Sequence, residues 1–345
     1  MMRYQDIAKK KQRVKRLFWI LLILLLGLVS SGWLYPLGAE VLLCGDPLFP
    51  DPDGIYRLRG HLTCLPTDPD TDPILDIKGD DVADSKFDLR GLIATGDGDN
   101  TGIRIRDGAD NVTIVGGIFK KCKTALRVEA DDCDIENFKA IDSSGRAFRI
   151  KGDYNDIVKS LCLKAGEACF EVEGEYNDLI RLKAIDSSEN AIIEKKGSDN
   201  NFLSRCMSLR AGSDAFELRA NGLPGTTTEY LTAIKSGTPE KPARGIRFRG
   251  PGYAYKCSAF GNSAEGFQIQ DNVSDVTIER CITINNAQDG IEIEEAAIGN
   301  YIKRNIVFAN GDGIDFFDLT DGNYDCDNNE WKRNKFKTSN IECIE

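Results

Sequence analysis

The sequence predicts an all-β chain wound into a single-stranded parallel β-helix solenoid of about eleven coils, and three observations lead there. A small residue followed by an apolar, a variable and a second apolar residue recurs ten times, beginning at Gly102, Ala125, Ala147, Cys169, Ala191, Ala215, Gly245, Gly266, Gly290 and Gly313. The intervals are 23, 22, 22, 22, 24, 30, 21, 24 and 23 residues, a period that belongs to stacked repeats, with a single insertion expected at about Gly222 to Thr228. The paired apolar residues are branched or aromatic, as at Ile103 and Ile105, Phe148 and Ile150, or Phe267 and Ile269, which marks a strand with one buried face.

About nine residues on, Asn or Asp opens a second apolar pair at Asn111, Asn155, Asn177, Asn201, Asp275 and Asn300. Such a residue tolerates the backbone of a corner. A third apolar stretch follows, closed by small polar corners such as Ser143-Ser144, Ser187-Ser188 and Asn285-Asn286. Three strands and three corners per turn separate this pattern from a leucine-rich repeat of similar period, since Ile, Val and Phe dominate and Asn opens a strand. One unit is irregular: Glu194 stands where the second apolar residue belongs.

The elements before the repeats follow in order. Residues 1–16 hold seven lysines and arginines against Asp6 alone, which reads as a basic cytoplasmic tail. Residues 17–39 carry no charge, and 23 helical residues at about 1.5 Å each span a hydrocarbon core of roughly 30 Å. A signal anchor with its N-terminus inside is expected, with Trp33 and Tyr35 at the far interface. A cleaved signal peptide is the alternative, with Ser30-Ser31-Gly32 at the cut. Both place the remainder outside the cytoplasm, tethered to the membrane or secreted. Residues 40–73 are expected to form an N-terminal cap and residues 74–345 the β-helix with a C-terminal cap, the first coil falling at Ile74-Leu75-Asp76-Ile77.

An oxidising compartment changes how the eleven cysteines are read. Cys44 with Cys64 and Cys326 with Cys343 sit at the two ends, where staples would fasten exposed cores, although spacing leaves connectivity open. Cys162, Cys206, Cys257 and Cys281 are expected as a buried stack inside the repeats. The chain carries a net charge of −11, and removing the basic tail leaves the rest at −17, which excludes nucleic acid as a partner.

These residues resemble the right-handed parallel β-helix repeat proteins of the pectate-lyase-like superfamily, including NosD-type repeats. The similar stretches are Gly54-Ile55-Tyr56-Arg57-Leu58 with Thr63-Cys64, Asn111-Val112-Thr113-Ile114, Asp275-Val276-Thr277-Ile278, and the Cys326 to Cys343 segment with Trp331-Lys332-Arg333-Asn334. The resemblance covers residues 44–345 and implies fold more than function, because the architecture hosts lyases, hydrolases, epimerases and adhesins alike. Arg149-Ile150-Lys151 matches a tripeptide of the pectin-hydrolysing members without their paired aspartates. The family's epimerases carry a histidine amid aspartates, whereas His61 is the only histidine here and precedes the repeats.

Stacked coils also bring outward residues into rows about 4.8 Å apart. The variable residue of each unit gives Arg104, Arg127, Arg149, Glu171, Ile193, Glu217, Arg247, Gln268, Glu292 and Asp315, a face that turns from basic to acidic. Glu217, Arg247, Gln268, Glu292 and Asp315 form the candidate ligand face. Glu292 and Asp315, one coil apart, have the spacing of a retaining carboxylate pair, about 5 to 5.5 Å, or could hold calcium through hard oxygen ligands. The alternating acids Asp68, Asp70 and Asp72, and Asn323, Asp325 and Asp327, are further candidates for calcium, but lack the glycine and glutamate of an EF-hand. With no complete catalytic set, the expected function is binding of polysaccharide or another surface polymer; the alternative is a polysaccharide lyase, epimerase or glycoside hydrolase working in a groove on this face.

Overall fold

The structure, a computed structural model, describes residues 54–63, 73–311, 316–318 and 329–339. Short strands fall in strict rotation into three parallel sheets, each strand hydrogen-bonded to its counterparts one coil away. Sheet A has twelve strands, from Ile55–Arg57 to Glu330–Lys332. Sheet B has eleven, from Gly60–Thr63 to Ile306–Phe308, and sheet C eleven, from Leu75–Ile77 to Phe316–Asp318. Ile55–Arg57 and Gly60–Thr63, within the stretch expected to cap the solenoid, already pair as members of sheets A and B.

The repeat makes these strands because each carries residues that face inward at period two. Ile103, Leu126, Phe148, Phe170, Ile192 and Phe216 stack in register along sheet C and are buried. Opposite them, sheet B turns in mostly small residues such as Ala140, Ala184, Ala233 and Ala259, so large rings fill the space that short side chains leave. Phe148 and Phe170 stack with centroids 4.4 Å apart. The small residue opening each sheet C unit has a steric cause: a Cβ on Gly102 would lie 2.3 Å from the Ala125 carbonyl oxygen, and one on Gly266 2.6 Å from that of Gly290.

Asparagine does more than turn the chain. The Asn155 backbone N–H donates to Asn177 Oδ1 (2.9 Å), and the Asn177 N–H donates to Asn201 Oδ1 (2.8 Å). A second ladder runs from Ser236 through Asn262 and Asn286 to Asn310 at the corner between sheets B and C. Each inward amide satisfies a buried N–H that the corner removes from the sheet. Two positions are merged in the sequence pattern. Asn111 and Asp275 occupy exposed left-handed corners (φ 57° and 60°), whereas Asn155, Asn177, Asn201 and Asn300 stand one residue later and point inward.

Three further expectations need correction. The main insertion lies at Thr238–Pro242, not at Gly222 to Thr228: fourteen residues separate Thr232 from Ile246, where nine separate Met207 from Phe216. Thr238 and Lys241 close it as a small antiparallel loop. Cys162 leaves the expected cysteine stack and forms a disulfide with Cys169, because it stands two residues deeper in its unit, on the inward row of sheet B with Ala140 and Ala184. Cys206, Cys257 and Cys281 do occupy one corner position and are buried. Burial pushes the Cys206 thiol up to about 12, leaving no thiolate at neutral pH. Finally, Phe317, not Asp315, pairs with Glu292, since Phe316 is in register with Ile291.

Glu194 turns a carboxylate into the coil, in register with Val172 and fully buried. Its oxygens accept from Thr226 Oγ1 (2.8 Å), Asn201 Nδ2 (3.2 Å) and the Arg219 N–H (3.0 Å). Desolvation nevertheless raises its pKa to about 7.

The N-terminal tail, the apolar segment 17–39, Cys44, Cys64, Cys326, Cys343, Asp315 and both alternating acid runs lie outside the described residues. Among the described residues no helix is long and apolar enough to cross a membrane.

Candidate functional site

Sheet C presents the expected outward row in register: Glu217 beside Arg247, Arg247 beside Gln268, Gln268 beside Glu292. Its early, basic half is neutralised across coils. Arg106 pairs with Asp76 (2.8 Å), Arg104 with Glu129 (2.7 Å), and Arg127 also with Glu129. Arg146, Arg149 and Lys195 enclose Glu171 at 2.5, 3.1 and 3.3 Å, while Arg149 and Lys151 also reach Glu173. The Arg-Ile-Lys tripeptide is thus engaged in ion pairs that tie coils together.

The later half is organised around three arginines of one coil, Arg244, Arg247 and Arg249. Arg249 and Arg219 hold Glu217 at 2.7 and 2.5 Å, and Asn190 Nδ2 donates to its other oxygen (3.1 Å). Arg244 contacts Glu265 (3.0 Å), and its backbone N–H donates to Asp214 (2.8 Å). Gln268 Nε2 donates to Glu292 (2.6 Å). Arg247 is different. Its nearest carboxylate, Asp214, is 3.7 Å away, and its Nε has no hydrogen-bond partner; one coil on, Gln268 Oε1 is also unpaired. A donor and an acceptor on neighbouring strands, which lie about 4.8 Å apart, therefore stand without hydrogen-bond partners at the middle of the face.

Asp214, Arg244 and Glu265 escaped the sequence pattern, which followed the second residue after each small one. They stand immediately before Ala215, Gly245 and Gly266, and this preceding position is the signal that locates them.

The carboxyl groups are pushed in opposite directions. Burial raises the Asp214, Glu265 and Glu292 pKa values, the last helped by Glu265 and Glu294 nearby. Burial also opposes ionisation of Glu217, yet Arg249 and Arg219 bring its pKa below the ordinary value. Arg247 is itself lowered by burial and by the neighbouring Arg244.

Loops border this region at both edges of the sheet. Thr238–Pro242 projects at the edge towards sheet B, with every residue exposed. At the edge towards sheet A, a hollow of about 370 Å³ is lined by Asn221, Leu223, Arg249, Pro251, Asn272 and Asp275. Arg249 lines the hollow and also holds Glu217 of the row. His61 lies exposed on sheet B in the first coil and does not join the site. Among the described residues no cluster of three or more His, Cys, Asp or Glu is arranged to hold a metal ion.

Residues 242–336 match the family described as right handed beta helix region. No curated protein matches the chain. Among solved structures, the fold is similar to that of the A-module of the Azotobacter vinelandii mannuronan C-5 epimerase AlgE4, with a TM-score of 0.66 and 10% identity over 85% of this chain and 92% of that one. It is similar to the Dettilon tailspike protein gp208, with a TM-score of 0.53 and 12% identity over 75% of this chain and 57% of that one. The catalytic domain of a GH87 α-1,3-glucanase, in complex with nigerose, gives a TM-score of 0.50 and 12% identity over 84% of this chain and 64% of that one. At such identities the likeness is one of fold. With three parallel sheets and inward ladders, the chain has the fold of a right-handed parallel β-helix, and its residues 242–336 match that family.

Proposed function

We propose that the chain binds a polysaccharide along sheet C, with Arg247 at the centre of the contact and Glu217, Gln268 and Glu292 beside it. The observation that carries this reading is the Arg247 Nε without a hydrogen-bond partner, one coil from a Gln268 Oε1 also without one, between Glu217 and Glu292 that are each held by a neighbour. Sugar hydroxyls supply both the acceptor and the donor these atoms need, and a sugar carboxylate would engage the guanidinium bidentately. Support also comes from the fold's company: two of the similar structures are named for polymeric sugars, mannuronan and α-1,3-glucan. A calcium ion bridging an acidic polymer to Glu292 would fit the same chemistry. In this reading residues 17–39 anchor the domain to a membrane, or are cleaved to release it, and the binding face is extracytoplasmic.

A second reading, hydrolysis, lyase chemistry or epimerisation, is favoured by the divergent carboxyl pKa values. A carboxyl whose pKa burial raises, beside another whose pKa arginines lower, has the offset that the acid and base of such reactions require. Screening neutral and uronic polysaccharides with and without calcium separates the two. Binding that weakens about tenfold in Arg247→Ala, with no shortened or unsaturated product, supports the first. Turnover abolished by Glu265→Gln or Glu217→Gln supports the second, and absence of both binding and turnover removes sheet C as a carbohydrate site.

A further inference from the structure

Sheet B has an outward face unlike the other two. In eight successive coils, from Ile141 to Phe308, the third residue of each strand is aliphatic or phenylalanine and is at least partly exposed; Leu163, Leu209, Ile234 and Phe260 are among them. At about 4.8 Å per coil this row runs for roughly 34 Å. The outward row of sheet C is mostly charged, so the apolar one is not a general property of the coil.

A basic ridge borders it. Of the eight corners between sheets A and B from Lys159 to Arg333, seven are lysine or arginine and the eighth is Tyr230. All eight are exposed and left-handed, with φ between 52° and 59°. That backbone penalises any side chain with a Cβ and is the usual place for glycine or asparagine, so long cations there are a conformational cost repeated coil after coil. Arg181, Arg205, Lys256 and Arg333 have no carboxylate partner among the described residues. Lys256 instead lies over the Tyr230 and Tyr255 rings at 5.3 and 4.9 Å, and Arg280 over Tyr255 at 5.6 Å. The opposite corner of the sheet alternates sign, pairing Lys164 with Asp142 and Arg210 with Asp186.

We propose that sheet B is a docking face for an anionic lipid surface. Its aliphatic row would enter the headgroup boundary while the ridge cations meet phosphates and the tyrosines sit at the interface, each group in the layer its chemistry favours. Charge complementarity selects this partner: beyond its basic tail the chain carries −17, yet seven of the eight corners beside the apolar row of sheet B are cations. A soluble polyanion would use the ridge and leave the apolar row without purpose. A second copy would bury the row but bring two basic ridges together. Docking of sheet B leaves sheet C free for a polymer, and does not depend on what sheet C binds.

Residues Leu43–Glu345 form a compact unit that holds all three sheets, so it can be tested without the apolar N-terminal segment. This unit should float with phosphatidylcholine vesicles that contain phosphatidylglycerol and not with phosphatidylcholine alone. Arg181→Glu, Arg205→Glu and Arg280→Glu should each lower partitioning about fivefold. Leu209→Ser with Ile234→Ser should lower it about tenfold. Circular dichroism checks that each variant folds, and the ridge variants, lying at exposed corners, keep the test sound if the apolar pair does not. Flotation indifferent to phosphatidylglycerol overturns the proposal. So does sedimentation as a dimer that Leu209→Ser with Ile234→Ser dissociates, or capture of soluble polyanion by the ridge with the apolar pair irrelevant to vesicle binding.

Discussion

Replacing Glu194 by glutamine isolates the energy of one carboxyl inside the coil. Burial raises its pKa from 4.5 to about 7, against the opposing hydrogen bonds of Thr226, Arg219 and Asn201. Below pH 4.5 the group is protonated in both folded and unfolded chains. Between 4.5 and about 7 the folded chain holds a proton that the unfolded chain has released, so stability falls as pH rises and then levels off. A shift of that size corresponds to about 3 kcal/mol at 1.36 kcal/mol per unit. Glutamine removes the titration but has a single acceptor oxygen, so it cannot accept from both Asn201 Nδ2 and the Arg219 N–H, which bond opposite oxygens of the carboxylate, a loss of about 1 kcal/mol. Glu194→Gln should therefore be about 1 kcal/mol less stable than the parent near about pH 4, and about 2 kcal/mol more stable near about pH 8. Urea denaturation followed by far-ultraviolet circular dichroism measures both. Asp214, Glu265 and Glu292 titrate with the same sign and Glu217 with the opposite one, but they are common to both proteins and cancel in the difference. Parallel pH profiles for parent and variant would refute the argument, because they would mean that the buried carboxyl does not change its ionisation on unfolding in this window.

Three other outcomes follow from the coil. Asn177→Ala removes the acceptor of the buried Asn155 N–H and should cost about 1–3 kcal/mol, read as a lower urea midpoint. Cys162→Ser with Cys169→Ser opens a short covalent loop and should cost about 2.5 kcal/mol, and reductant should destabilise the parent equally while leaving the variant unchanged. Deleting Thr238–Pro242 returns that corner to the nine-residue length of its neighbours; stability should stay within about 1 kcal/mol of the parent, while affinity for any polymer bound beside Arg244 and Arg247 should change, as measured by calorimetric titration.

The sequence pattern carried most of the fold and only part of the site. Ile103, Phe148 and Phe267 announce inward positions because burial demands hydrocarbon at period two, and Gly102 or Gly266 because a Cβ would strike the next coil. Outward residues obey no such demand. Their row was legible as far as Glu292, where Phe317 replaces Asp315, since Ile314 and Phe316 are equally apolar and the pattern alone does not choose between them. Asp214, Arg244 and Glu265 had no hydrophobic periodicity to mark them at all.

Sequence by itself determined the parallel coil, its period and its inward faces, because identical environments repeat every turn and impose identical residues. Tertiary structure alone decided which corner holds the insertion, that Cys162 meets Cys169, that Glu194 lies buried under Thr226, and that Arg247 is left without a close partner. Those features depend on distances between coils, where a shift of one or two residues in a corner moves a side chain to another neighbour without changing the repeat.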